Sequence, residues 1–438
     1  MTTATPPTGG ADGARGDRDT RGARARQTRE RIVASARTLF VAQGYRATSM
    51  RDVAAGAGIS HTGLLKHVAS KDELLAAVVA ALEAENAALD RVGAGAALPF
   101  AALAAHNEQV PGYLELFAAL SGEACARTHP AHRSMATRYD RIRDLASRSL
   151  EAGIASGVVA RERDVRGESV RITAAWDGLQ VLRLYLPGRI DVASMLASHS
   201  ASLGRAPGRR TSGGGARRPD AAARGGRENV PAAPQIDAAT RDAPDDGYRV
   251  GRERRERIVA DAIALFARQG YVETSLRDIA AAVGASKSTL LHHYPTKADL
   301  LRAVMVARDE RVSATVGSGS APGDGAARLR ALPAAAARDA RDEPGLIEVY
   351  AVLSCEAIPA DHPAHTHFRD RFDRSIDEFA ALFRAAQADG ILSSHRDPVA
   401  EAVWLLALWD GLQYQWLYDP EAVDVAAHLR AHLADVLP

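Results

Sequence analysis

Two short segments of the 438-residue chain carry side chains suited to reading a polyanion. His61, Thr62 and Lys66 follow Ser60, and Lys287, Ser288, Thr289 and His292 follow Ser286. Hydroxyl, imidazole and ammonium donors gathered on one short helix can hydrogen-bond base edges or phosphate oxygens. A second candidate chemistry lies further along. His129-Pro130-Ala131-His132 recurs as His362-Pro363-Ala364-His365. Two histidines three apart can bind a metal. No cysteine or paired carboxylate nearby completes a ligand set, however, and Pro fits the first turn of a helix, so the motif reads as a loop-to-helix junction. No nucleophile–base set or Gly-rich phosphate loop is present, so neither an enzyme nor a bound cofactor is expected.

The elements that must position these donors are helices. Thr28 to Gln43 places Ile32, Val33, Ala36, Leu39 and Phe40 on one face at helical spacing, and Gly44 stops it. Thr48 or Ser49 can cap the next helix, which turns Met50, Val53 and Ala54 inward. Gly58 marks a tight turn, Ser60 caps a third short helix, and Ser70 caps a fourth that opens Lys71-Asp72-Glu73. Helix, Gly-containing turn and Ser-capped short helix make a helix-turn-helix pattern.

The chain then repeats this. Arg29 to Leu75 aligns without a gap onto Arg255 to Leu301, with 26 of 47 residues identical. A second register, offset by 233, relates the rest: Trp176-Asp177-Gly178-Leu179-Gln180 matches Trp409-Asp410-Gly411-Leu412-Gln413. A period above 200 residues is too long for a solenoid and implies duplication of a whole subunit. Cys125 and Cys355 are not at equivalent positions and cannot build a disulfide framework. With the polar first twenty residues and no long apolar run, this predicts a cytoplasmic protein without a membrane partner.

Charge is unevenly distributed. The chain as a whole carries +1, yet residues 23–75 hold nine Lys/Arg against four acids, and residues 249–301 hold nine against six. Two basic heads on a nearly neutral chain fit phosphate-binding surfaces. Boundaries follow: a disordered tail at 1–22, head 1 at 23–75, body 1 at 76–203, a Gly/Pro-rich flexible linker at 204–248, head 2 at 249–301 and body 2 at 302–438.

The run from Arg29 to Ser60, closed by Lys71-Asp72-Glu73-Leu74-Leu75, resembles the DNA-binding head of TetR/AcrR-family regulators, as does its second copy. With the Trp-Asp-Gly-Leu-Gln segments, the resemblance covers nearly everything but the tail and linker. It implies an all-α fold of two tandem subunits, each a three-helix head plus a helical ligand-binding and dimerisation body. By position it places recognition helices at Ser60 to His67 and Ser286 to His293. It places Thr48, Ser49, Arg51 and Lys71, with Thr274, Ser275, Arg277 and Lys297, near phosphates. The family's phosphate-touching tyrosine is missing from both copies, and Lys66 is a candidate replacement.

The bodies are sparsely marked. Glu123 and Glu356 either face solvent or put a polar group into a pocket with Tyr113 and Phe117, or with Tyr350; Trp176 and Trp409 are further pocket candidates. The resemblance also implies that the last two long helices of each body pair with those of a second subunit. Gly178 and Gly411 permit close approach there. A single-chain pseudo-dimer, two copies in one chain reading an imperfect palindromic operator and released by an unidentified small molecule, is the simplest reading. Pairing between chains as a homodimer is the other assembly. A TetR-fold module with weak or lost DNA binding, acting through protein partners, is the alternative function.

Overall fold

The computed structural model describes residues 12–92, 98–127, 129–207, 246–317, 325–342 and 344–438. Most of the expected linker, 208–245, lies outside the described residues, as does 1–11. The described residues are all-helical. The first copy comprises α1 (Asp12–Ala47), α2 (Met50–Gly56), α3 (His61–Leu64), α4 (Lys71–Val92), α5 (Phe100–Gln109), α6 (Tyr113–Glu123), α7 (His132–Ala155), α8 (Val165–Tyr185) and α9 (Val192–Ser202). The second comprises α10 (Asp246–Glu273), α11 (Leu276–Ala282), α12 (Lys287–His293), α13 (Lys297–Gly317), α14 (Gly325–Asp342), α15 (Pro344–Glu356), α16 (His365–Ala388), α17 (Pro398–Tyr418) and α18 (Val425–Val436).

Local rules explain the heads. Gly44 breaks α1 at φ 81°, a left-handed value that costs glycine little. Ser49 and Ser275 each form a capping box, with Asp52 and Asp278 as reciprocal partners. One expectation changes at the start of the chain. α1 begins at Asp12, inside the segment 1–22 expected as a disordered tail.

The bodies share one core. α8 and α17 run against each other along their length, α7 packs on α8, and α16 packs on α17. Both central helices are buried almost all round, from Val170 to Leu182 and from Ala402 to Gln415 apart from Trp176 and Asp177. Their closest approach is reciprocal. A Cβ on Gly178 would overlap the Ala407 carbonyl, and one on Gly411 would overlap the Ala174 carbonyl. Those pairs are the same two positions read from either copy. α6 and α15 also meet, with Gly122 against Cys355, again one position in both copies.

Polar contacts obey the same two-fold relation. Tyr185 donates to Ser354 O at 2.7 Å, while Tyr418 donates to Leu120 O and Ser121 O at 3.0 and 3.1 Å. His132 stacks on Tyr418, and His365 stacks on Tyr185. At the far end, Arg163 holds Glu168 at 3.0 Å and Asp435 of the second copy at 2.8 Å. The two copies thus form one four-helix interface within a single chain.

Candidate nucleic-acid interface and effector cavity

Each head presents its Ser-capped short helix outward. In the first, Ser60 accepts from Gly63 N, and His61, Thr62 and Lys66 are exposed while Leu64 is fully buried. In the second, Ser286 accepts from Thr289 N, and Lys287, Ser288 and His292 are exposed around buried Leu290. Thr289, His67 and His293 are half-buried. The helices differ in length: α3 is one turn, whereas α12 runs seven residues. Gly63 in α3 stands where Thr289 stands in α12, and glycine disfavours helix.

The phosphate candidates divide. Arg51 and Arg277 are exposed beside the short helices. Ser49 and Ser275 are exposed and already engaged as caps. Lys71 lies 4.5 Å from the centroid of the Tyr45 ring and Lys297 4.2 Å from that of Tyr271, half-buried cations on aromatic faces at the foot of each head. Thr48 and Thr274 must be corrected. They are 1% and 0% exposed, so neither hydroxyl can reach a phosphate. Thr48 Oγ1 instead donates to Gly44 O at 2.9 Å and closes the turn after α1. The residue before an N-cap points back into the head, which the Thr-Ser dipeptide alone does not disclose.

The His-Pro-Ala-His motifs seat the heads on the bodies. His129 Nδ1 accepts from Ala131 N and His362 Nδ1 from Ala364 N, each at 3.2 Å. Each first histidine meets a head tyrosine edge-on, His129 with Tyr45 and His362 with Tyr271. Burial holds His362 down to about 4, so it stays neutral. Each second histidine bonds its own chain, at Ala124 O or Ala357 O, and stacks on the opposite copy's tyrosine. Among the described residues, no group of three or more His, Cys, Asp or Glu stands where a metal could be held.

Glu123 and Glu356 belong to this junction and not to a body pocket, a second correction. Glu356 Oε2 accepts from Tyr271 N at 2.6 Å, and Glu123 lies beside Gly44 and His129. Both line a cavity of about 680 Å³ between the ends of α1 and α10, with Cys355 and Asp361. The Tyr271 N–H gives Glu356 a donor in the head, and that bond holds the carboxylate at the junction.

The body cavity lies elsewhere. In the first copy, α5, α7 and α8 enclose about 210 Å³, lined by Phe100, Leu103, Tyr113, Ala146 and Trp176 with polar Asn107, Arg138, Thr173 and Asp177. Tyr113 and Trp176 are among its lining residues. Phe117 lies behind, under the Arg138 guanidinium at 4.2 Å. Burial pushes Asp177 up to about 6, against the pull of Arg138. Sequence reasoning missed Asn107, Arg138 and Asp177. An aspartate inside an apolar helix, repeated in both copies, was the available signal. Tyr350 and Trp409 are packed in the second body's core, where Tyr350 donates to Asp410 at 3.3 Å and accepts from Arg371 at 3.1 Å.

The family described as bacterial regulatory proteins, tetR family, matches twice, at 32–78 and 258–304. The C-terminal part of BetI-type transcriptional repressors matches at 325–438. No curated protein sequence matches the chain. Among solved structures, a TetR-family regulator from Rhodococcus sp. is 24% identical and covers 43% of this chain and 100% of its own, at a TM-score of 0.36. A regulator from Saccharomonospora viridis, solved in complex with choline, is 28% identical over 42% of this chain and 95% of its own, at 0.36. A TetR-family regulator from Agrobacterium tumefaciens is 22% identical over 43% and 100%, at 0.39.

The class defined by two helix-turn-helix heads on helical bodies is that of DNA-binding transcriptional regulators. The chain belongs to the TetR family, as a tandem duplication of two TetR-like subunits. No helix among the described residues is long and apolar enough to cross a membrane.

Proposed function

We propose that the chain is a ligand-responsive repressor that reads an imperfect palindrome as a single-chain pseudo-dimer. The observation that carries this reading is the reciprocal packing of the two copies, Gly178 on Ala407 and Gly411 on Ala174. A TetR-like body needs a partner for that surface, and here each copy covers the other's. The unlike pair at the axis, Gly122 against Cys355, favours unlike copies: two cysteines would crowd there and two glycines would leave a void.

The outward residues differ, His61-Thr62-Gly63 in one head and Lys287-Ser288-Thr289 in the other, so the two half-sites differ. The body cavity supplies a place for an effector, and the His-Pro-Ala-His junction supplies a mechanical link from body to head.

Light scattering on the complex with DNA from upstream of its own gene tests the assembly. One chain per operator is expected; two chains with four heads would refute it. A gel shift over a salt series tests the DNA reading itself, since phosphate contacts make affinity fall steeply with salt.

A further inference from the structure

The duplication places two versions of one effector site in a single chain, and they have diverged. In the first body, α5 is ten residues long, leans on α9 and stands off from α7, leaving the cavity between them. In the second, α14 is 18 residues long and lies directly on α16, with Gly325 against the Leu382 carbonyl. Phe379 packs against the core where the first body has Ala146, and buried Leu406 replaces Thr173.

Polar satisfaction has diverged too. Tyr350 gives Asp410 a hydrogen bond. The equivalent residue in the first body is Phe117, which has none to give; Tyr139, where the second body has Phe372, bonds Asp177 from α7 instead, and Asp177 Oδ2 is left without a donor. Asn107, 3% exposed and lining the cavity, keeps Oδ1 unpartnered, and its counterpart is Ala340. Buried acceptors without partners are costly, and a ligand that donates to them recovers that cost. The indole nitrogens of Trp176 and Trp409 are unpartnered in both bodies, so the contrast rests on Asn107 and Asp177.

We propose that the chain takes up one effector molecule, in the first body alone, and that it is an uncharged molecule of about one ring that donates hydrogen bonds to Asp177 and Asn107. This rests on the reading of the bodies as effector-binding units. Size follows from volume: a cavity of about 150 Å³ suffices for benzene, while drug-sized ligands need about 300 Å³ or more, and this one has about 210 Å³. Charge follows from the lining. Arg138 already faces Asp177, and Arg141 with Glu83 lies at the same wall, 2.6 Å apart. An added cation meets the arginines, and an added anion meets Asp177.

The test uses the full chain and resorcinol, a single ring with two hydroxyl donors. The indole N–H resonances of Trp176 and Trp409 are followed, each assigned by its Trp→Phe variant. A saturable shift of the Trp176 signal with Trp409 unmoved is expected. Benzylamine and benzoate should bind at least tenfold more weakly. Ala146→Phe should weaken resorcinol binding at least tenfold, and Asn107→Leu serves should that variant fail to fold. Parallel shifts at both tryptophans, no shift at Trp176 with millimolar resorcinol, or equal binding of the charged rings would overturn the proposal. Fluorescence anisotropy of bound upstream DNA separates the two readings. A Trp176 shift that leaves DNA affinity unchanged upholds the single site and refutes ligand response.

Discussion

Asp177 and Asp410 sit on equivalent turns of α8 and α17, yet one lines a cavity and the other is buried in a closed polar triad with Tyr350 and Arg371. The backbone plan is the same, but the hydroxyl neighbour moves between helices: Tyr139 on α7 bonds Asp177, Tyr350 on α15 bonds Asp410, and Phe117 and Phe372 stand at the two exchanged positions. The heads diverge less. Their caps, their Lys-on-Tyr contacts and their junction histidines recur, and only the outward residues and the length of the short helix differ. Duplication has kept what holds the molecule together and varied what lines the cavity and what the short helices turn outward.

The symmetric part of this comparison is most sharply tested at the axis. Gly178→Ala and Gly411→Ala each force a methyl into the opposite backbone, and each should cost about 3 kcal/mol, the upper end for overpacking. Urea unfolding checks this, and equal losses mark a true two-fold contact. Unequal losses would show that the copies carry the interface differently.

Acid comes next. Burial holds His199 and His432, equivalent residues near Arg163, Arg171, Arg396 and Asp435, down to about 3, against an ordinary 6.5. Above pH 6.5 both are neutral folded or unfolded, and the full stability is present. As pH falls from 6.5 toward 3 the unfolded chain binds protons that the fold refuses. Stability should therefore drop by about 1.4 kcal/mol per pH unit for each histidine. Leucine at both positions should flatten the profile between pH 6.5 and 5 in thermal melts.

Tyr350→Phe removes the hydroxyl that bonds Asp410, without the tyrosine that the first body has at 139 in place of Phe372. It should cost about 1–2 kcal/mol, because Asp410 loses its donor. Phe117→Tyr is the reverse exchange and should bring Asp177 back toward the usual carboxylate range, read by carboxyl NMR titration. The smallest effects fall on the heads. Lys66→Ala and Lys287→Ala should each weaken operator binding a few-fold and lower the salt slope by about one if they meet phosphate. A loss confined to one half-site sequence would instead mark a base contact.

Sequence read the heads well because capping is local. Ser49 and Asp52, Ser275 and Asp278, and Ser60 and Gly63 settle their partners within three residues. It misjudged Thr48 and Thr274, whose neighbours are the same but whose direction depends on how α1 meets α2. It sent Glu123 and Glu356 to the body because their own helix is apolar, when their partners sit 79 and 85 residues away at Gly44 and Tyr271.

What the sequence alone determined is the duplication, the helical heads and the residues each head turns outward, because periodicity, caps and repeats are written in adjacent positions. What only the tertiary structure decided is which copy keeps a cavity and where the two copies touch. Those depend on volumes and hydrogen-bond partners brought together from distant positions: Tyr350 on Asp410, Gly325 against Leu382, Gly122 against Cys355.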